Sequence, residues 1–152
     1  MQRGWLGMEP NVFLAAQDGE VVSLSHTSEQ ARHNHFDMDG YAILAYNGLV
    51  YAPASGRMIR VAPEEGEFVL ESGGMQIVLR VDATQEEHAL TSVVREGMRV
   101  KAEQKIAEYD VHASQQPPQT LVLVRGGETQ GAWQVHVGRA SGGRSVAMTR
   151  EY

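Results

Sequence analysis

The sequence predicts an all-β protein, an antiparallel sandwich or barrel in one domain with short helical turns, and three observations carry that reading. Strand-like runs rich in β-branched and aromatic residues recur at a spacing of about 8–12 residues. Turn dipeptides close them: Asp18-Gly19, Asn47-Gly48, Ser55-Gly56 and Gly73-Gly74. No long helical periodicity interrupts the series.

Taken in chain order, "NVFLAA" (11–16) and "GEVVSL" (19–24) are the first two extended segments, joined through Asp18-Gly19. "YAILAY" (41–46) and "LVYAPA" (49–54) flank Asn47-Gly48, and "GRMIRV" (56–61) begins at its own glycine. "EFVLE" (67–71) and "MQIVLRV" (75–81) lie on either side of Gly73-Gly74. "MRV" (98–100), "QKIAEY" (104–109), "TLVLV" (120–124), "WQVHV" (133–137) and "SVAM" (145–148) complete the set. Helical turns are expected at Thr27 to Arg32, where Thr27 or Ser28 caps, and at Gln85 to Val93. Pro117 and Pro118 forbid helix and central strand in "SQQPPQT" (114–120), which reads as a loop. A loose echo of glycine, β-branched pair and polar rise runs through "DGEVVSL", "SGRMIRV" and "EGMRVKAEQKIAEYD". It has no fixed period, so it implies stacked hairpins in one sandwich and not a solenoid.

The bulk properties narrow the function. A chain of 152 residues with 42% apolar residues suits a single domain over 1–152, with residues 1–10 as a loose N-terminal arm. Thirteen basic against nineteen acidic side chains leave a net charge of -6, the opposite of a nucleic-acid binder's footprint. The absence of cysteine removes disulfide frameworks and thiolate zinc sites. Gly4, Gly7 and Pro10 interrupt the N-terminal apolar stretch, so no signal peptide is expected and a cytoplasmic location is. No apolar run approaches the roughly 20 residues of a membrane span.

Within "ESGGMQIVLRVDATQ" (71–85), the period of two puts Met75, Ile77, Leu79 and Val81 on one face and Gln76, Val78, Arg80 and Asp82 on the other. Arg80 therefore points away from the core. Its plainest reading is a solvated strand residue whose methylene stem covers Val78.

The order of the segments resembles the glucose-type enzyme IIA (EIIA) of the bacterial phosphoenolpyruvate:sugar phosphotransferase system. "DGEVVSLSHTS" resembles that family's opening strand, and Asp39-Gly40-Tyr41-Ala42-Ile43 resembles its "GDG-AI" signature. "LVYAPASG" is similar to its "v-APvdG" turn, "EFVLESGGMQIVLRVD" to its active-site hairpin, and "VREGMRVKAEQKIAEYD" to its "v-eGd-Vk-Gq-l-efD" hairpin. "TLVLV", "VHVG" and "SVAM" match the closing strands, so the resemblance runs from about Asp18 to Thr149. It implies an antiparallel β-sandwich of the duplicated hybrid motif type.

The resemblance also implies a chemistry. In that family a phosphocarrier passes a phosphoryl group to a histidine on the second active-site strand, beside a second histidine on the preceding strand. A neutral imidazole has the ring lone pair that attacks phosphorus. Here the acceptor position falls on Arg80 and the partner position on Gly66, so both histidines are missing. The match needs a one-residue deletion after Arg80, which leaves Leu79 or Val81 as alternatives for the slot, and neither could accept phosphate. A guanidinium has donors and no acceptor lone pair. It could instead clamp a carboxylate or phosphate, with Asp82 holding it. The expectation is a pseudoenzyme: an EIIA-like domain without catalytic residues or cofactor, binding other proteins of sugar uptake or its regulation. Its docking face would comprise Phe68, Val78, Arg80, Val81 and Asp82.

The six histidines offer two rival readings. One is phosphoryl acceptance at another imidazole, although His26, His88 and His112 match no family site. The other rests on "RHNHFDMDG", where His33, His35, Asp37 and Asp39 alternate, and His35 and Asp39 have the H-x-x-x-D spacing of lysostaphin-type zinc peptidases. "VYAPASG" resembles their turn too. A third metal ligand would have to be His136 in "WQVHVG", where those enzymes have H-x-H and this chain has Gln134-Val135-His136. "PEEGE" (63–67) reads as a solvated acidic turn, and Arg139 and Arg144 in "GRASGGR" flank a glycine loop.

Overall fold

The computed structural model describes residues 11–24, 39–81, 90–110, 119–126 and 133–150. Its strands are β1 (Val12–Leu14), β2 (Gly19–Val22), β3 (Asp39–Ala45), β4 (Leu49–Tyr51), β5 (Gly56–Ala62), β6 (Glu67–Ser72) and β7 (Met75–Val81). There follow β8 (Thr91–Ser92), β9 (Arg99–Val100), β10 (Lys105–Glu108), β11 (Gln119–Gly126), β12 (Trp133–Val135), β13 (Gly138–Ala140) and β14 (Val146–Arg150). An eight-stranded sheet has the order β13-β2-β3-β11-β7-β6-β5-β9, and two three-stranded sheets have the orders β1-β14-β12 and β4-β10-β8. All pairings are antiparallel. The large sheet ends at β13 and β9 without closing, so the molecule is the sandwich and not the barrel. No helix among the described residues is long and apolar enough to cross a membrane.

Local chemistry sets the hairpin that matters most. Gly73 and Gly74 have φ of 57° and 87°. Two consecutive positive φ values make the tight turn whose twist suits a β-hairpin. The turn locks β6 to β7 in one register, from Ser72 opposite Met75 to Glu67 opposite Arg80. At its far end a 3₁₀ turn, Pro63–Glu65, has proline in its first position and stops at Gly66, in the left-handed region at φ 71°.

Phe13, Tyr41, Ile43, Phe68, Ile77 and Leu79 are all fully buried in the main core cluster, each worth roughly 1.5–3 kcal/mol for an aliphatic or aromatic side chain removed from water. A second cluster, Ala42, Val69, Val78, Leu121 and Leu123 with Val22 and Leu24 against it, lies on the opposite face of the large sheet. The central strands are thus apolar on both sides, which explains the near-continuous "TLVLV" of β11.

A buried polar knot ties distant turns together. Gln17 and Thr120 are both fully buried. The Gln17 amide donates to the Tyr109 hydroxyl at 3.0 Å and to the Asn47 carbonyl at 3.1 Å, and its oxygen accepts from the Thr120 hydroxyl. Asp18 accepts from the Asn47 amide at 2.9 Å and from the Gly142 N–H at 2.6 Å. A Cβ at Gly48 would come within 1.8 Å of the Tyr109 carbonyl oxygen, so only glycine fits that crossing.

Two elements differ from the sequence expectation. The helical turn expected through Val93 gives way at its end to β8, where Ser92 pairs with Ala107 of β10 and its hydroxyl donates to the Val94 carbonyl at 2.6 Å. A two-residue edge pairing carries too little pattern to be seen in sequence. β13 was not expected either: its three residues, one of them glycine, are held by β2 and not by a propensity of their own. The turn expected at 27–32 lies outside the described residues.

Candidate functional site

β6 and β7 present Glu67 and Arg80 directly opposite one another. The Arg80 side chain, 45% exposed, carries its Nη1 3.8 Å from Oε1 of Glu67, which is 21% exposed. That same oxygen lies 3.5 Å from Arg60 Nε on β5, and Arg60 Nη2 donates to Glu65 at 2.6 Å. Glu65, Arg60, Glu67 and Arg80 form a strip of two acids and two bases across the 3₁₀ turn and the neighbouring strands β5, β6 and β7. The charges balance, so the strip offers no excess positive charge to an incoming anion, and the anion clamp expected at Arg80 faces a carboxylate of its own chain. The expected holder, Asp82, lies outside the described residues. Partly exposed pairs of this length are worth roughly 0–1 kcal/mol each, so they orient side chains more than they stabilise the fold.

Gly66 stands beside this strip, its carbonyl accepting from the Val81 N–H at 2.7 Å. The positions expected for acceptor and partner, Arg80 on β7 and Gly66 just before β6, are thereby brought side by side, one register step apart. Of the three residues that compete for the acceptor slot, Leu79 and Val81 turn inward at 0% and 3% exposure, and only Arg80 reaches the surface.

The docking face expected from the sequence needs correction. Phe68 pairs across the strands with Leu79 and shares its inward face, so it is fully buried, and Val81 belongs to the same core cluster. Alternation along a strand removes both from any surface that also contains Arg80. Val78 does lie on Arg80's side, but within the second apolar cluster and only 4% exposed. What Arg80 borders is the rim of that cluster, with Leu121 directly opposite on β11. Arg60 escaped the sequence reading, and Glu67, read there as part of a solvated acidic turn, is the first residue of β6 and pairs with both arginines. Its place opposite Arg80 was within reach of the sequence: counting back from the two-glycine turn places residue 67 opposite residue 80.

The metal set is not assembled among the described residues. Asp39 is the exposed first residue of β3, opposite Val124, and the His136 ring Nε2 shares a 2.8 Å hydrogen bond with the Thr149 hydroxyl. His35 lies outside the described residues, as do His26, His33, His88 and His112. No group of three or more metal-ligating side chains occurs among those described. Glu64 and Glu65 occupy the 3₁₀ turn, and Arg139 lies on β13 opposite Glu20 of β2. The glycine loop carrying Arg144 joins two sheets, from β13 to β14.

Two comparisons bear on this arrangement. The sequence model of the family described as phosphoenolpyruvate-dependent sugar phosphotransferase system, EIIA 1, matches residues 11–126. The fold is similar to that of glucose permease IIA from Mycoplasma capricolum, at a TM-score of 0.74 and 20% sequence identity, over 92% of this chain and 96% of that one.

Proposed function

The chain belongs to the EIIA 1 family of the phosphoenolpyruvate-dependent sugar phosphotransferase system, and on that premise we propose that it is a member that carries no phosphoryl group and acts by binding other proteins of sugar uptake or its regulation. The observation that supports the reading is the exposed guanidinium at the position resembling the family's acceptor, held 3.8 Å from Glu67. An arginine offers no lone pair to phosphorus at any physiological pH. Gly66, at the partner position, offers no side chain at all. Leu79 and Val81, the alternatives for the slot, are both buried and chemically inert toward phosphate.

Replacing a neutral imidazole by a fixed cation also changes docking. By the resemblance, the donor presents a basic face, and like charges brought together in a desolvated contact cost several kcal/mol. Binding to the usual phosphocarrier is expected to be weak, and its partners are other components or regulators of the system. The test is a mass measurement after incubation with phosphoenolpyruvate, the first enzyme of the system and the phosphocarrier. The expected result is an unchanged mass. An acid-labile phosphoryl adduct would overturn the proposal and point to another histidine.

A further inference from the structure

We propose that the β5/β9 edge of the large sheet is a docking surface for an acidic, extended segment of a partner protein. Arg57 and Arg99 are exposed and directly opposite one another in the β5–β9 register. Cross-strand partners have Cβ atoms about 4.5–5.5 Å apart, and like charges placed so are destabilising. One acid faces the pair, Glu71 opposite Arg57 on β6, yet among the described residues neither arginine side chain makes an ion pair or a hydrogen bond, and Arg99 has no acid opposite it. Lys101, two residues beyond Arg99, is exposed and forms no ion pair among the described residues. Glu96, three residues before Arg99, accepts from the Val61 N–H at 3.2 Å. Exposed aliphatic surface adjoins the cations, with Ile59 40% and Met98 38% exposed.

The chemistry selects the partner. Each guanidinium is a planar fork suited to one carboxylate. Carboxylates two residues apart on an extended chain project from the same face about 7 Å apart, a spacing two neighbouring arginine side chains can meet by splaying. The residue between them, or an apolar neighbour, would cover Ile59 and Met98. A broad polyanion such as a membrane or nucleic acid fits less well, because the rest of this chain carries the acids that bring its net charge to -6. The backbone edge itself is not the attraction: the Met58 N–H and carbonyl are already bonded to Met98 and Gly97.

The test uses the full chain, isotope-labelled, titrated at low salt with a synthetic peptide alternating leucine and glutamate and with its glutamine counterpart. The expected result is saturable amide shifts confined to 56–59 and 97–101. Affinity should fall at least about tenfold for the glutamine peptide and for Arg57→Gln/Arg99→Gln, the effect of losing a charge-assisted contact. Removing the facing charges should leave the melting temperature equal or higher, which separates lost binding from lost folding. Should the double variant melt earlier, Arg99→Gln alone serves the same comparison. The proposal is overturned by equal binding to wild type and variants, by no shifts at this edge, or by shifts that arise only with phosphatidylglycerol vesicles.

Discussion

Placing histidines at Gly66 and Arg80, the two positions proposed to correspond to the family's pair, has a different structural cost at each, and the difference can be worked out. Gly66 holds φ 71° and ψ 23°, the left-handed region, where it ends the 3₁₀ turn and passes the chain into β6. A residue with a Cβ there costs roughly 1–2 kcal/mol. Arg80 lies on a regular strand, so Arg80→His loses only its pair with Glu67, 3.8 Å long and 45% and 21% exposed at its two ends. After screening by solvent that loss is about 0.5 kcal/mol. Because the Gly66 carbonyl bonds to the N–H of Val81, the residue after Arg80, the two sites are coupled through the backbone, and the double variant is expected to depart from the sum by about 0.5 kcal/mol or more. Urea unfolding of the four proteins, compared at equal m-value, gives these differences directly. A Gly66→His variant within about 0.5 kcal/mol of wild type, or an Arg80→His variant that loses more than about 2 kcal/mol, would refute the reasoning. The first result would mean that the backbone at Gly66 tolerates a side chain, the second that Arg80 carries more of the fold than its exposure allows.

Thr120→Val keeps the shape of the buried knot but leaves the Gln17 side-chain oxygen without its hydroxyl donor, at an expected cost of about 1–3 kcal/mol in chemical denaturation. Burial pushes the Tyr41 hydroxyl upward from its ordinary value of 10.0, with a backbone hydrogen bond from Ala16 opposing it in part. The folded state therefore holds a proton that the unfolded chain releases above about pH 10, so this stability is fully present below that pH and declines above it. Tyr41→Phe should flatten the alkaline limb of the urea midpoint plotted against pH. At neutral pH it should cost about 1 kcal/mol, from loss of the 2.7 Å bond to the Leu14 carbonyl.

Much of this molecule is written locally. Alternation in "MQIVLRV" sets Met75, Ile77, Leu79 and Val81 inward and Arg80 outward, and two adjacent glycines specify the turn that precedes them. The order of the strands and the residue types at 66 and 80 are likewise sequence facts, because a period of two and the chemistry of a guanidinium need no partner to be read. Other features exist only once distant segments close on each other. Arg60 and Arg80 share one Glu67 oxygen because β5, β6 and β7 lie side by side, and Phe68 faces inward with Leu79 because the hairpin register puts them opposite. Gln17 meets Thr120 across 103 residues of chain, and Arg57 meets Arg99 across an edge formed by a two-residue strand. Local pattern fixes which way a side chain points, whereas its neighbour on that face depends on which strands pair and in what register, a choice made by the burial of the whole sandwich.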